Sequence, residues 1–332
     1  MKTGQKGLVF IVSYRGKETI YVNTHGWRNK EEVMKRTTRL LSIFLAMIMV
    51  IGTMTTFVFA DGETPATDGQ TQAQTQDQTQ ATDQTQPAED PDKEAIEKYG
   101  YYHGKDATRI PVLTYHMVVS NGKKASGKYR NSSLAVSRST FDKQMRWLKK
   151  RGYRSINCEE FYLWYTGKIK LPPKSVLITF DDGAIGVVTQ ALPVLKKYNM
   201  KGTTFIVGTR TKKNKRGTIK FKQYQKLKDS QDNLDFQSHT YALHKHFSKK
   251  GDYQKVLKDA AKQKEIYGFE YLAYPYGRNT PGMRKAYAES GIKVAFTYGK
   301  NGYATKKQNI LQIRRIKVNA REGFGKFTRW FK

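Results

Sequence analysis

One cysteine, Cys158, stands in a chain of 332 residues. A lone thiol excludes an internal disulfide framework and any cysteine-based zinc site. Histidine is scarce as well: His25, His103, His116, His239, His244 and His246 are the full set. Any metal must therefore be held by these imidazoles and by carboxylates. Acidic residues are thin where the chain looks foldable. Residues 101–332 carry 49 Lys and Arg against 15 Asp and Glu, residues 61–100 carry 2 against 10, and residues 1–60 carry 9 against 3. A basic domain of this kind favours polyanionic partners, among them nucleic acid, anionic headgroups and anionic cell-wall polymers. No nucleic-acid motif accompanies the charge, which is spread over most helices with one cluster at Lys212–Arg216.

Charge is missing altogether from residues 40–60, LLSIFLAMIMVIGTMTTFVFA, which follow Lys35, Arg36 and Arg39. A basic n-region, an apolar h-region and the small-x-small step Val58-Phe59-Ala60 form an export signal in the right order. The run is also long enough to span a bilayer uncleaved, as a membrane anchor. Met34 opens a start-like phrase, so residues 1–33 read as a mis-assigned start or a long n-region. Export takes nucleic acid away as a partner and leaves the membrane as a partner through this segment alone. Residues 61–93 are acidic and rich in Gln-Thr steps (QTQAQTQDQTQATDQTQ), with few aliphatic side chains beyond Ala. Such a stretch buries no core and reads as a disordered tether. The expected organisation is an N-terminal extension with signal or anchor at 1–60, a linker at 61–93 and a catalytic domain at 94–332.

From Arg109 onward short apolar strands alternate with amphipathic helices. Strands are expected at Ile110–Tyr115, Tyr153–Asn157, Ser175–Phe180, Thr203–Val207, Leu234–Ser238, Glu270–Tyr274, Val294–Tyr298 and Ile310–Val318. Helices fall at Thr140–Lys150, Gly186–Tyr198 and Asp252–Tyr267. A fourth has Thr280 as N-cap, Pro281 in its first turn and Gly291 as terminator. The alternation implies an α/β fold with a parallel sheet, and the length suits a closed or nearly closed (β/α) barrel. In that architecture chemistry gathers at the C-terminal ends of the strands.

The polar residues sit there. Ser175–Phe180 runs into Asp181-Asp182-Gly183, where one carboxylate can bind a metal while the other accepts a proton. Leu234–Ser238 runs into His239-Thr-Tyr-Ala-Leu-His244-Lys-His246, and His239 and His244 are close enough to converge on one ion. Two imidazoles and a carboxylate leave coordination positions open for water, the pattern of a catalytic site, and the ion lowers the pKa of that water. A third strand ends in Tyr274-Pro275-Tyr276-Gly277, a rigid aromatic turn. The first ends in Thr114-Tyr115-His116, which places an imidazole where a general acid is useful.

With these residues the chain resembles the polysaccharide deacetylase family (NodB homology, carbohydrate esterase family 4) over residues 109–318. Thr179–Gly183 matches its first motif, His239-Thr240 with His244 its second, and Ala273–Gly277 its third. The resemblance implies a distorted (β/α) barrel of about seven parallel strands. It implies Asp181 as general base, and Asp182, His239 and His244 as ligands of a divalent metal, usually zinc. It also implies that the Tyr276 N–H helps bind the oxyanion, with Pro275 and Tyr274 shaping that turn on the substrate side. Three departures stand out: Ala273 replaces the third motif's Arg, the metal histidines are five residues apart, and no Leu-x-His follows near the C-terminus. All three resemble the subgroup acting on poly-β-1,6-N-acetylglucosamine in biofilms, in which the acid His lies on an N-terminal strand. His116 is thereby expected as the acid, with Arg314 or Arg315 orienting the base in place of the missing Arg. The implied activity is hydrolytic N-deacetylation of an N-acetylated polysaccharide. Peptidoglycan is the alternative polymer, and a non-catalytic sugar-binding module is the rival of another class.

Overall fold

A computed structural model describes residues 9–14, 18–23, 90–245 and 253–332. The signal segment, almost all of the Gln/Thr tract and His246 lie outside these residues. No helix among the described residues is long and apolar enough to cross a membrane. The chain divides into two units, Met1–Asp83 and Gln84–Lys332. In the first, β1 (Val9–Tyr14) and β2 (Glu18–Asn23) pair antiparallel.

The second unit opens with α1 (Lys93–Tyr99). Just ahead of it, Lys168 Nζ donates to both Asp90 and Asp92 at 2.7 Å. There follow β3 (Val112–Tyr115), β4 (Met117–Val119), β5 (Ala135–Ser137), α2 (Arg138–Lys150), β6 (Arg154–Ile156), α3 (Cys158–Tyr165) and β7 (Ser175–Phe180). Then come α4 (Leu192–Lys197), β8 (Gly202–Ile206), α5 (Gly208–Lys212), α6 (Phe221–Leu227), β9 (Leu234–Ser238), α7 (Tyr253–Tyr267) and β10 (Tyr271–Ala273). The chain ends with α8 (Pro281–Glu289), β11 (Val294–Phe296), β12 (Ile316–Lys317) and α9 (Phe324–Thr328). The main sheet is wholly parallel in the order β11-β10-β9-β8-β7-β3-β12, with β6 wedged beside the first half of β7. The parallel α/β sheet is as the alternation predicts, but it is a curled seven-strand half-barrel where a closed or nearly closed barrel was expected.

Closure is achieved differently from the continuous strand expected at Ile310–Val318. Residues 310–312 form a 3-10 turn, Ile313 bridges Phe296 of β11, and Ile316 pairs with Leu113 of β3. One short segment thus touches both edges of the sheet. It must bend between them, because the edges it serves diverge, so it cannot remain one strand. The helix expected at Gly186–Tyr198 is likewise split, with a π-turn over Val187–Ala191 ahead of α4. Pro193 has no N–H to give the preceding turn, which widens the ladder there. The β4–β5 pair and α3 were not anticipated; both are short, and β4 and β5 have three residues each.

Every residue of β7 is buried, as expected of a strand covered on both faces. Val176, Ile178 and Phe180 pack with Phe141, Met145 and Leu148 of α2. Leu177 joins a separate cluster with Phe205 and Phe296. The period-two alternation therefore carries Thr179 and Asp181 toward the same side as Leu177, the concave side of the sheet. Caps agree with the sequence at α8, where the Thr280 hydroxyl accepts from the Met283 N–H at 3.3 Å.

One carboxylate away from the strand tips is held out of its usual range. Asp235 on β9 accepts from Gln237 Nε2 at 3.1 Å and from Thr203 Oγ1 at 3.4 Å. Burial outweighs these bonds and pushes its pKa up to about 7. The folded state thus holds a proton that the unfolded chain releases in the ordinary carboxylate range. Asp235's contribution to stability is complete below that range and is lost as pH rises to about 7. Asp235→Asn should therefore raise the melting temperature at about pH 8, with the gain vanishing near pH 4. An equal shift at both pH values in a thermal denaturation series would show that the buried charge is not the cause.

Candidate active site

The first carboxylate of the pair, Asp181, is 2% exposed. Its N–H donates to the Tyr115 carbonyl at 2.9 Å, which ties the tip of β7 to β3. Arg315 grips it bidentately, Nη1 to Oδ1 at 2.8 Å and Nη2 to Oδ2 at 2.7 Å. The guanidinium, itself 1% exposed, also donates to Thr179 Oγ1 at 3.1 Å and from Nε to the Thr297 carbonyl at 2.8 Å. Burial alone would raise the Asp181 pKa, but the Arg315 charge and its hydrogen bonds outweigh it and the net shift is downward. Asp181 is thus an anion in a dry setting. Of Arg314 and Arg315, it is Arg315 that reaches Asp181. Arg314 is exposed and lines an open cleft instead, because neighbouring residues of an extended segment face opposite sides.

The second carboxylate diverges from the first because the backbone turns left-handed, with Asp182 at φ 71° and Gly183 at φ 61°. That conformation is strained for a non-glycine residue. It sends Asp182 toward the histidines: Oδ1 lies 2.7 Å from His244 Nε2 and 4.0 Å from His239 Nε2. The three ligand atoms lie within 4.8 Å of one another. His239 Nδ1 is 2.7 Å from the Ala273 carbonyl, an acceptor, so Nδ1 carries the proton and the lone pair of Nε2 faces Asp182. Burial lowers the His239 pKa to about 4, so the ring is neutral near pH 7. Burial opposes ionisation of Asp182, yet the His244 hydrogen bond and the charges around it hold its carboxyl well below the usual range. A neutral imidazole with its second nitrogen anchored, another imidazole and an ionised carboxylate make a donor set that fits a divalent ion.

One contributor was not singled out in the sequence. Arg210 of α5 donates to Asp182 Oδ1 at 3.0 Å and to His244 Nδ1 at 2.9 Å. In a basic stretch nothing marks this arginine apart from its neighbours; only the β8–α5 turn brings it to the carboxylate.

His116 follows β3, and its ring meets that of Tyr298 edge-on at 5.4 Å. It also adds a small part to the lowering of the pKa of Asp181 and of Asp182, as a neighbour of the pair. His103 is exposed ahead of the first strand. In the third motif, Tyr276 has φ 58°, is 58% exposed and lies 5.3 Å from the His244 ring. Gly277 cannot be replaced, since a Cβ there would sit 1.9 Å from the Tyr298 carbonyl oxygen. Pro275 is buried beneath this turn. Tyr274 is also buried, packed at 5.7 Å on Tyr287 in an apolar cluster. It supports the turn from within and is not presented to a substrate, because the left-handed turn at Tyr276 (φ 58°) breaks the strand geometry and lifts Tyr276 out while Tyr274 stays buried.

A curled parallel sheet with a carboxylate pair, two imidazoles and an aromatic turn at the strand tips defines a hydrolase type of site whose Asp182, His239 and His244 could hold a metal ion. The family model for polysaccharide deacetylases matches residues 168–295. The chain is 32% identical over 215 residues to the poly-beta-1,6-N-acetyl-D-glucosamine N-deacetylase of Staphylococcus epidermidis, covering 58% of this chain and 71% of that one. It superposes on the Streptococcus pyogenes deacetylase PplD with a TM-score of 0.59 at 24% identity, over 68% of this chain and 99% of that one. IcaB from Ammonifex degensii superposes at 0.54 with 28% identity, over 64% and 93%. The chain belongs to the polysaccharide deacetylase family, carbohydrate esterases that act on N-acetyl amide bonds.

Two outcomes test this geometry. Arg315→Met should cost about 3–5 kcal/mol of stability, because it strands a buried anion. Adding Asp181→Asn should recover a large part of that in urea denaturation, with activity absent from both variants. A double variant no more stable than Arg315→Met would show that the charge pair is not what holds the closing segment. Separately, the purified protein should bind one divalent ion per chain by elemental analysis. His239→Ala should lose the ion and Arg210→Ala should keep it. Stoichiometric metal in His239→Ala would remove that residue from the ligand set.

Proposed function

We propose that this protein hydrolyses the acetamido groups of N-acetylglucosamine units in an extracellular or cell-wall polysaccharide, releasing acetate. The observation that carries this reading is the division of labour between adjacent carboxylates: Asp181 dry and clamped by Arg315, Asp182 turned toward two histidines. Poly-β-1,6-N-acetylglucosamine is the first candidate polymer. The Arg315 clamp compensates for Ala273 in the third motif, and His116 stands on an N-terminal strand, the features the sequence shares with that subgroup. Peptidoglycan is the second. A non-catalytic sugar-binding role is disfavoured by a donor set that is complete and oriented.

A divalent ion, which we take to be zinc, would be held by Asp182, His239 and His244 and would supply Lewis-acid polarisation and a water of lowered pKa. Asp181 accepts the proton of the attacking water as the new C–O bond forms at the acetyl carbon. Its two Arg315 hydrogen bonds keep the carboxylate aimed and ionised. The Tyr276 N–H, presented by a left-handed turn, receives the developing oxyanion. His116 gives a proton to the glucosamine nitrogen as the C–N bond breaks, and acetate and the free amine leave. We further propose that the enzyme is exported and works outside the cell, secreted or anchored at the outer face of the membrane. The charge-free run at 40–60 and the acidic tether after it support this reading.

Asp181→Asn should retain the ion and lose roughly two to four orders of magnitude in acetate release, the usual scale for general acid–base catalysis. His116→Ala should abolish most amide hydrolysis with metal content and folding unchanged. It should spare acetate esters of acidic phenols, whose leaving groups need no proton. Amide and activated-ester hydrolysis falling equally in His116→Ala would reduce that residue to positioning or packing.

A further inference from the structure

Beside the site, on the far side of Tyr298, lies an open cleft of about 460 Å³, within the range of pockets that hold small ligands. Tyr298 is its shared wall. One edge of the ring meets His116, and the residue before it, Thr297, gives its carbonyl to Arg315. Gly277 of the third motif packs on the Tyr298 backbone from the other side. Whatever occupies the cleft is therefore one residue's width from the acid and from the aromatic turn.

The lining has a single sign of charge. Lys300, Lys307 and Arg314 contribute their cations, Gln308, Asn309 and Gln312 add polar groups, and no carboxylate lines it. None of the three cations takes part in any of the ion pairs found among the described residues. The contrast with the next residue is direct: Lys306 is paired with Asp106 at 2.9 Å. Lys317 extends the positive wall, its Nζ 5.2 Å from the Tyr298 ring centroid. Lys212, Lys213, Lys215 and Arg216 are exposed as well, on the segment that follows Arg210.

The cleft thereby parts from the motif departures, which favour neutral poly-β-1,6-N-acetylglucosamine: its charge is badly matched to a glycan that turns into a polycation as it is deacetylated. Each amine formed would be repelled by the walls that must hold the next unit. It is well matched to a chain that carries negative charge beside the acetylated sugar, since lysine and arginine bind carboxylate and phosphate oxygens through charge-assisted hydrogen bonds. We propose that the Lys300–Lys307–Arg314 cleft is an anion-binding subsite, and that the preferred substrate is an acidic N-acetylated glycan. Its carboxylate or phosphodiester, on a unit flanking the hydrolysed one, occupies this cleft. The proposal rests on the deacetylase reading for its catalytic half and on the cleft alone for its binding half.

The test separates the two. Binding of oligogalacturonate and of a glycerol-phosphate oligomer is measured calorimetrically at low salt on the full protein, on Lys300→Gln/Lys307→Gln and on Lys149→Gln/Lys150→Gln, which removes equal charge from exposed positions of α2. Acetate release is followed in parallel on neutral N-acetylglucosamine oligomers, on carboxylate-bearing glycan strands and on a phosphodiester-bearing N-acetylated glycan. The cleft variant is expected to bind the acidic oligomers about tenfold or more weaker, as loss of hydrogen bonds to charged groups implies. It should raise KM on the acidic glycans by a similar factor while kcat, and KM on neutral oligomers, stay unchanged. The oligomer that binds tighter identifies carboxylate or phosphodiester as the anion. Equal loss in the α2 variant, or unchanged binding in the cleft variant, overturns the subsite, even if acetate is released and the deacetylase reading stands. Binding lost in the cleft variant with no acetate from any substrate leaves the subsite standing and overturns the deacetylase reading.

Discussion

The buried pair between Arg315 and Asp181 is the contact on which both closure and chemistry depend. Arg315 sits on the short segment that bridges β11 at Ile313 and pairs with β3 at Ile316. Its guanidinium reaches across the concave side to the tip of β7, where it binds Asp181 and Thr179. A buried ion pair is not stabilising by default, because desolvation of two charges opposes their attraction. Here the remaining donors and acceptors are satisfied as well: Nε finds the Thr297 carbonyl, and Thr179 passes its own proton to the Leu113 carbonyl at 2.7 Å. The network couples three strands and the closing segment. The base therefore cannot drift without opening the sheet.

The same constraint explains how two adjacent aspartates come to differ. Asp181 continues the strand and points where Leu177 and Thr179 point. Asp182 leaves it through a left-handed turn and faces His239 and His244. Both are anionic, but the first is neutralised by a fixed arginine and the second by groups that a metal can displace. Arg210 completes the second set from outside, as a cation that donates to both Asp182 and His244. Local charge balance thus separates the two carboxylates, which suits the proposed split between proton transfer and coordination.

The domain around this anionic centre is strongly basic in composition, and the cleft beside the site shares that sign. Attraction between an anionic polymer and such a surface acts over about one Debye length, roughly 8–10 Å at physiological salt. The charge therefore gathers and orients a chain near the site without specifying the bond that is cut. Specificity has to come from the few side chains that reach the cleft and from the aromatic turn of Tyr276.

Most strand positions, the parallel alternation, the Thr280 cap and the Asp182, His239 and His244 cluster were legible in the sequence. They follow from short-range rules: period two in strands, cap chemistry, and motifs whose members are close in the chain. His116 was legible for the same reason, as the end of a strand. What the sequence left open were the relations between residues far apart in it. Arg314 and Arg315 are equivalent as letters, and only the bend of the closing segment sends one to Asp181 and the other to the solvent. Tyr274 and Tyr276 both read as substrate contacts until the turn buries the first and lifts the second. Arg210 is one basic residue among many until β8 and α5 set it against Asp182. Composition and local periodicity determined which elements form and which residues carry reactive groups. Which of those groups meet was decided by closure of the sheet, because contact between residues more than a hundred positions apart depends on how strands stack and has no signature in either local pattern.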